Sequence, residues 1–199
     1  HYLSSRSVEG LIISLSTETN DLSHLQALHQ KGLPIVLFDR VSNEINTHNV
    51  VVDNFKGAYD ATEHLIKQGY QKIAAIANSE FLSITTERLA GYKEALAHHG
   101  IKYNPTYVKH CFYGGMIFSE IEDAVNKLFT LKQKPDAIIT TSDKLTTGCL
   151  KTLLRRGLKV PDDIALVGFS NSDLVELLSP PLTVVRQPAM EMGKAATEL

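Results

Sequence analysis

Short polar clusters recur just after apolar runs in this 199-residue chain, and hydroxyl, amide and carboxylate groups dominate them. The run 137–139 is followed by Ser142 and Asp143, and the run 164–167 by Ser170 and Asn171. Such groups can hydrogen-bond a polar small molecule, and in open α/β sheets ligands sit outside the carboxyl ends of the strands. Arg88 adds a cation. It stands four residues before Tyr92, beside the stripe Leu89, Tyr92, Ala95 and Leu96, in what reads as the first turn of a helix. A guanidinium there can grip ligand hydroxyls or an anion. It can equally pack its stem and send its head to water.

Presenting these groups requires strands that end in register. Besides 137–139 and 164–167, runs at 10–15, 35–38, 50–52 and 73–77 read as buried strands, ending near Asp39-Arg40, Asp53-Asn54 and Asn78-Ser79. Leu145, Cys149, Leu150, Leu153 and Leu154 recur at helical spacing between two of them, which makes a strand, a crossover helix and a parallel strand. Gly32, Gly69, Gly100 and Gly157 fall where helices should stop. The pattern is that of repeated αβ units.

Composition narrows the function classes. A net charge of −2, with no Lys/Arg run longer than Arg155-Arg156, leaves no electrostatic footprint for nucleic acid on this segment. Neither GxGxxG nor GxxxxGK[ST] occurs, and 168–172 begins like GxSxG but carries Ser172 where the second glycine belongs. The eight histidines form no HExxH and no i,i+4 pair, and His98-His99 read as a solvated helix end. No metal, cofactor or catalytic residue is therefore expected, and the chain is read as a non-enzyme. Cys111 and Cys149 lie in apolar surroundings without a CxxC pattern; two buried reduced thiols are expected, with a disulfide as the alternative. No apolar run approaches the ~18 residues of a membrane span.

The order of several longer strings is more specific. ERLAGYKEAL at 87–96, VVDNFKGAYDATEHLIKQGYQKIAAI upstream, and KVPDDIALVGFSN then PPLTVVRQPAMEMGKAA downstream resemble the effector-binding core of the LacI/GalR (lactose-repressor) transcription regulators. The resemblance covers nearly the whole chain. It implies an α/β fold of two Rossmann-like subdomains with parallel sheets, periplasmic-binding-protein-like (type I). Residues 1–53 plus 187–199 would form an N-terminal subdomain, incomplete in this chain, and 54–186 the C-terminal one. It further implies an effector held in the cleft between subdomains, a cytoplasmic homodimer, and operator DNA read by a helix-turn-helix outside this chain.

Carried over residue by residue, the likeness makes Arg88 an effector ligand, Phe112 a ring to stack on the ligand or a core side chain, and Asp143 a cleft residue or the cap of the next helix. Asp39 and Arg40 match a strand-ending pair, with a local ion pair as the alternative reading. Asp53 falls at the crossover. The chain departs from the family at 168–170: Gly168-Phe169-Ser170 stands where many members have Gly, an aromatic and Asp. The carboxylate that would accept sugar hydroxyls is missing, leaving Ser170 and Asn171 as weaker partners. The less polar stretch 81–84 points the same way. A sugar-derived effector that is anionic or partly apolar thus stands level with a neutral sugar. The rival reading is a periplasmic sugar-binding protein of a transport system.

Overall fold

The computed structural model describes residues 8–16, 19, 21–80 and 83–199, so Phe81 and Leu82 of the apolar stretch before Arg88 lie outside the described residues. The chain divides into two compact units, one of residues 1–52 with 188–199 and one of residues 53–187.

The larger unit is built on a parallel sheet of β4 (Ile73–Ala77), β5 (Val108–His110), β6 (Ala137–Thr140), β7 (Ala165–Phe169) and β8 (Thr183–Val185), in the order β5-β4-β6-β7-β8. Its three central strands are buried along their whole length. Helices cover both faces, so residues pointing either way must be apolar, and the strands read as continuous hydrophobic runs. Ile73, Ala75, Ala77, Ile139 and Val167 pack with Leu65 of α2 (Asn54–Lys67) and with Leu89, Tyr92 and Leu96 of α3 (Ser83–His98). Ala74, Ile76, Ile138 and Leu166 face the opposite way. They meet Ile121, Val125 and Leu128 of α4 (Phe118–Phe129) and Leu145, Cys149 and Leu153 of α5 (Asp143–Arg155).

The route of the chain follows from this layering. After β4 the chain takes α3 on one face out to the edge strand β5; it then returns by α4 on the other face to β6, on the far side of β4. Strand order therefore reverses between β4 and β6. Such a reversal point is where doubly wound sheets take their ligands.

Two glycines allow the close contacts this packing needs. A Cβ on Gly91 would lie 2.2 Å from the Phe55 carbonyl oxygen of α2, so α3 approaches α2 at van der Waals limit there. A Cβ on Gly168 would lie 2.0 Å from Oγ1 of Thr140 and 2.3 Å from Oγ1 of Thr146. The four helix-ending glycines all have positive φ, as the sequence pattern requires.

The smaller unit has a parallel sheet β1-β2-β3 of Leu11–Ile13, Ile35–Phe38 and His48–Val50. Leu22, Leu25, Ile35, Leu37 and Ile45 form its core with α1 (Ser23–Gln30), and α6 (Ala189–Glu198) packs on β2 and β3. The expected strand at 50–52 begins two residues earlier. Pairing with β2 ends at Val50, because the chain must turn for Asp53 to cap α2, and Val51 is left half exposed. β5 and β8 were not anticipated as strands: each is three residues long at a sheet edge and only partly buried, so neither carries a clear apolar period.

Candidate functional site

The carboxyl ends of β4, β6 and β7 gather the polar groups of the larger unit. At the point where strand order reverses, the Asn78 backbone N–H donates to Oγ1 of Thr141 at 3.3 Å, and the Thr141 N–H donates to the Ile76 carbonyl at 3.1 Å. Arg88 reaches the same place from α3. Its Nη1 donates to the Thr141 carbonyl at 2.6 Å, its Nε donates to Oδ1 of Asn54 at 3.0 Å, and its Cζ lies 3.7 Å from the centroid of the Phe169 ring. Asn54 in turn donates to Oε2 of Glu87 at 2.8 Å.

Arg88 is only 3% exposed and Asn54 2%. The reading with the arginine head in water is therefore overturned: guanidinium and stem are buried together. Arg88 also sits in the second turn of α3, which begins at Ser83, so it lies beyond the helix's strongest N-terminal field. A buried charge of this kind persists only where its hydrogen bonds and ring contacts replace hydration. Those contacts tie α2, α3, the end of β6 and β7 into one polar knot.

Asp143 is the first residue of α5, while Ser142 occupies the cap position. The capping alternative for Asp143 is thus corrected. Its Oδ1 instead accepts from Oγ of Ser170 in a very short contact, and Ser170 Oγ also accepts from the Ser172 N–H at 3.2 Å. A carboxylate in the first turn gains from the helix dipole, and Asp143 remains exposed while Ser170 is buried. Beneath them, Thr146 Oγ1 pairs with Thr140 Oγ1 at 2.7 Å and meets the Phe169 carbonyl at 2.9 Å, which is the contact that Gly168 makes room for.

The remaining sequence candidates separate. Phe112 follows β5 and is 65% exposed, so the core reading of this ring is corrected; its N–H donates to Oε1 of Glu120 at 3.0 Å. The Asn171 amide is engaged on both sides, donating to the Gln187 carbonyl and accepting from the Gln187 N–H, each at 2.8 Å. Asp53 caps α2 by accepting from the Lys56 N–H at 2.7 Å. Asp39 and Arg40 belong to the smaller unit, where Asp39 takes a positive φ of 58° and Arg40 Nε donates to Oγ of Ser14 at 3.4 Å. Glu87, Thr141 and Phe169 carry no local sequence signal for these contacts, because their partners Asn54 and Arg88 lie far away in the chain or on another element. Cys111 and Cys149 are free and buried, and burial pushes both thiols up, that of Cys111 to about 12.

Parallel sheets with crossover helices and a polar reversal point define a doubly wound ligand-binding α/β architecture. A family model described as periplasmic binding protein-like domain matches residues 62–199. The HTH-type transcriptional repressor CytR of Escherichia coli (strain K12) is 36% identical over 168 residues, covering 84% of this chain and 48% of that protein. A solved regulatory protein of LacI family from Chloroflexus aggregans superposes with a TM-score of 0.85 at 30% identity, over 99% of this chain and 69% of that one. The transcriptional regulator CelR in complex with cellobiose gives 0.85 and 30%, over 99% and 59%. This chain belongs to the LacI/GalR family, in its periplasmic-binding-protein-like effector-binding domain. It spans about half to three fifths of the length of the curated relatives it matches.

Proposed function

We propose that this chain senses a small molecule for a LacI-type transcription regulator, the operator DNA being read by a helix-turn-helix domain outside the chain. The observation that carries the sensing role is the placement of Arg88 and Asp143 at the carboxyl ends of β4 and β6, where strand order reverses. Asp143 supplies a charged acceptor, Ser170 a hydroxyl beside it, and Phe112 an exposed ring for stacking. Arg88 supplies the cation, with Asp53 and Asn171 shaping the surrounding backbone. The effector is a sugar or sugar derivative. Asp143 takes over part of the acceptor role that the family's aspartate has at position 170, and Arg88 extends the range to anionic derivatives.

No covalent chemistry is involved. The effector acts by binding one of two states of the regulator more tightly, and a coupling of about 1–3 kcal/mol changes operator affinity roughly 5- to 150-fold. The regulator works as a cytoplasmic homodimer. Among the described residues no helix is long and apolar enough to cross a membrane. Sedimentation equilibrium tests the dimer: the protein is expected to run as a dimer, and a monomer at every concentration would count against it. Relatives named as repressors favour this reading over a transport-system binding protein.

The effector assignment is tested by calorimetry with neutral sugars, sugar acids and sugar phosphates on the parent and on Asp143→Ala. Binding of one chemical class that the variant loses, with its fold intact by circular dichroism, is the expected result.

A further inference from the structure

At the opposite end of the α2–α3 pair, three metal-capable side chains converge. Glu63 of α2, His98 at the end of α3 and His99 just after it offer one ligand atom each, and these atoms all lie within 4.8 Å of one another. We propose that Glu63, His98 and His99 form a site for a divalent transition-metal cation of the zinc class, bridging the C-terminal ends of α2 and α3. The proposal is independent of the effector assignment.

Geometry comes first. Bonds of about 2.0–2.1 Å in a tetrahedral site set its ligand atoms roughly 3.3 Å apart. His99 Nε2 and Glu63 Oε1 are already 3.0 Å apart, and closing the rest asks for a movement of about 1.5 Å at most in rotatable side chains, Glu63 being partly buried and both histidines exposed. Two histidines, one carboxylate and a water complete the coordination that open zinc sites use. The Tyr59 hydroxyl pairs with Nδ1 of His98; a cation taken at Nε2 of that ring would keep this pairing as its outer contact.

Electrostatics agrees. Both helices end here, and their C-terminal partial charges favour a cation. Lys67 Nζ and the His99 ring both contact the Glu63 carboxylate, so its two oxygens already face cationic or donor groups. The built-in competitor is Lys67, whose Nζ sits 2.7 Å from Oε2 of Glu63. An arriving metal takes Oε1 and displaces the His99 contact, while Lys67 draws on the same carboxylate's charge. Linear spacing hides all of this, because Glu63 lies on α2 and the two histidines at the end of α3, and only the packing of the two helices brings them together.

Zinc titration by isothermal calorimetry on the purified protein tests the site, with cobalt absorption reporting geometry. One equivalent of zinc and an intense tetrahedral-type cobalt spectrum are expected. His98→Gln and His99→Gln should each weaken binding by about tenfold or more, the double variant should abolish the one-site isotherm, and Lys67→Ala should tighten it. The three substituted residues are at the surface, and circular dichroism checks the fold of each variant. Absence of zinc binding, or an isotherm that the double variant leaves unchanged, overturns the proposal.

Discussion

One helix pair carries polar groups at both of its ends, under opposite conditions. At the N-terminal end Asn54, Glu87 and Arg88 are knotted beneath the sheet's carboxyl ends, with Arg88 and Asn54 withdrawn from water. At the C-terminal end Glu63, Lys67, His98 and His99 stand near solvent. The same close contact at Gly91 holds both. A buried charge must have its partners fixed in place, so the first end is rigid and costly to disturb. Exposed pairs contribute little to stability, so the second end is free to exchange partners.

Relaxing the shared contact should have the largest effect. Gly91→Val drives a side chain into the α2 backbone and should cost about 3 kcal/mol, near the upper end for overpacking, or a fall in Tm of roughly 6–12 °C for a chain of this size. A change below about 1 kcal/mol in urea denaturation would mean that the helices do not meet as described.

Next comes the buried end. Arg88→Met leaves the Thr141 carbonyl and Asn54 Oδ1 without their donor and should cost about 2–3 kcal/mol. A double-mutant cycle with Asn54→Ala should show a coupling of roughly 1–2 kcal/mol; additive losses would break the knot into independent parts.

The buried thiols give a smaller, pH-dependent effect. The folded protein holds Cys111 neutral, with its pKa raised from 9.0 to about 12. The stabilisation this reflects is complete below pH ~9 and is lost as pH rises toward ~12. Tm should therefore decline over that window, and less steeply in Cys111→Ala. Reaction with a thiol reagent at pH 8 should be slow in the native protein and fast after denaturation.

Least affected is the exposed end. Glu63→Gln should leave Tm unchanged within error without added metal. A clear drop would place Glu63 with Arg88 as a structural residue and erase the contrast between the two ends.

Much of this architecture is written locally. Buried runs such as 73–77 and 137–140 need no partner to be recognised, because covering both faces removes polar alternation, and helix ends are marked by glycines that only a left-handed turn requires. Arg88 was legible as an anomaly, a cation beside an apolar stripe. Its resolution was not, since Thr141 and Phe169 are contributed by β6 and β7 and only the folded sheet brings them to it. The core alternative for Phe112 fails for a related reason: an aromatic next to a strand can be core, yet β5 is an edge strand and the ring beyond it faces water, which leaves the stacking alternative open. Glu63, His98 and His99 carried no sequence signal, because their proximity is a property of two helices rather than of one.

Ligand screening shows whether the reversal point of the larger sheet receives an effector. Thermal shift against neutral sugars, sugar acids, sugar phosphates and nucleobases should be run on the parent and on Asp143→Ala. A ligand at ~100 times its Kd adds about 2.7 kcal/mol, a rise of roughly 5–11 °C. Such a shift is expected from one sugar-derived class and is lost in Asp143→Ala. A ligand whose shift survives that substitution, or no shift from any class with the protein folded, would contradict it.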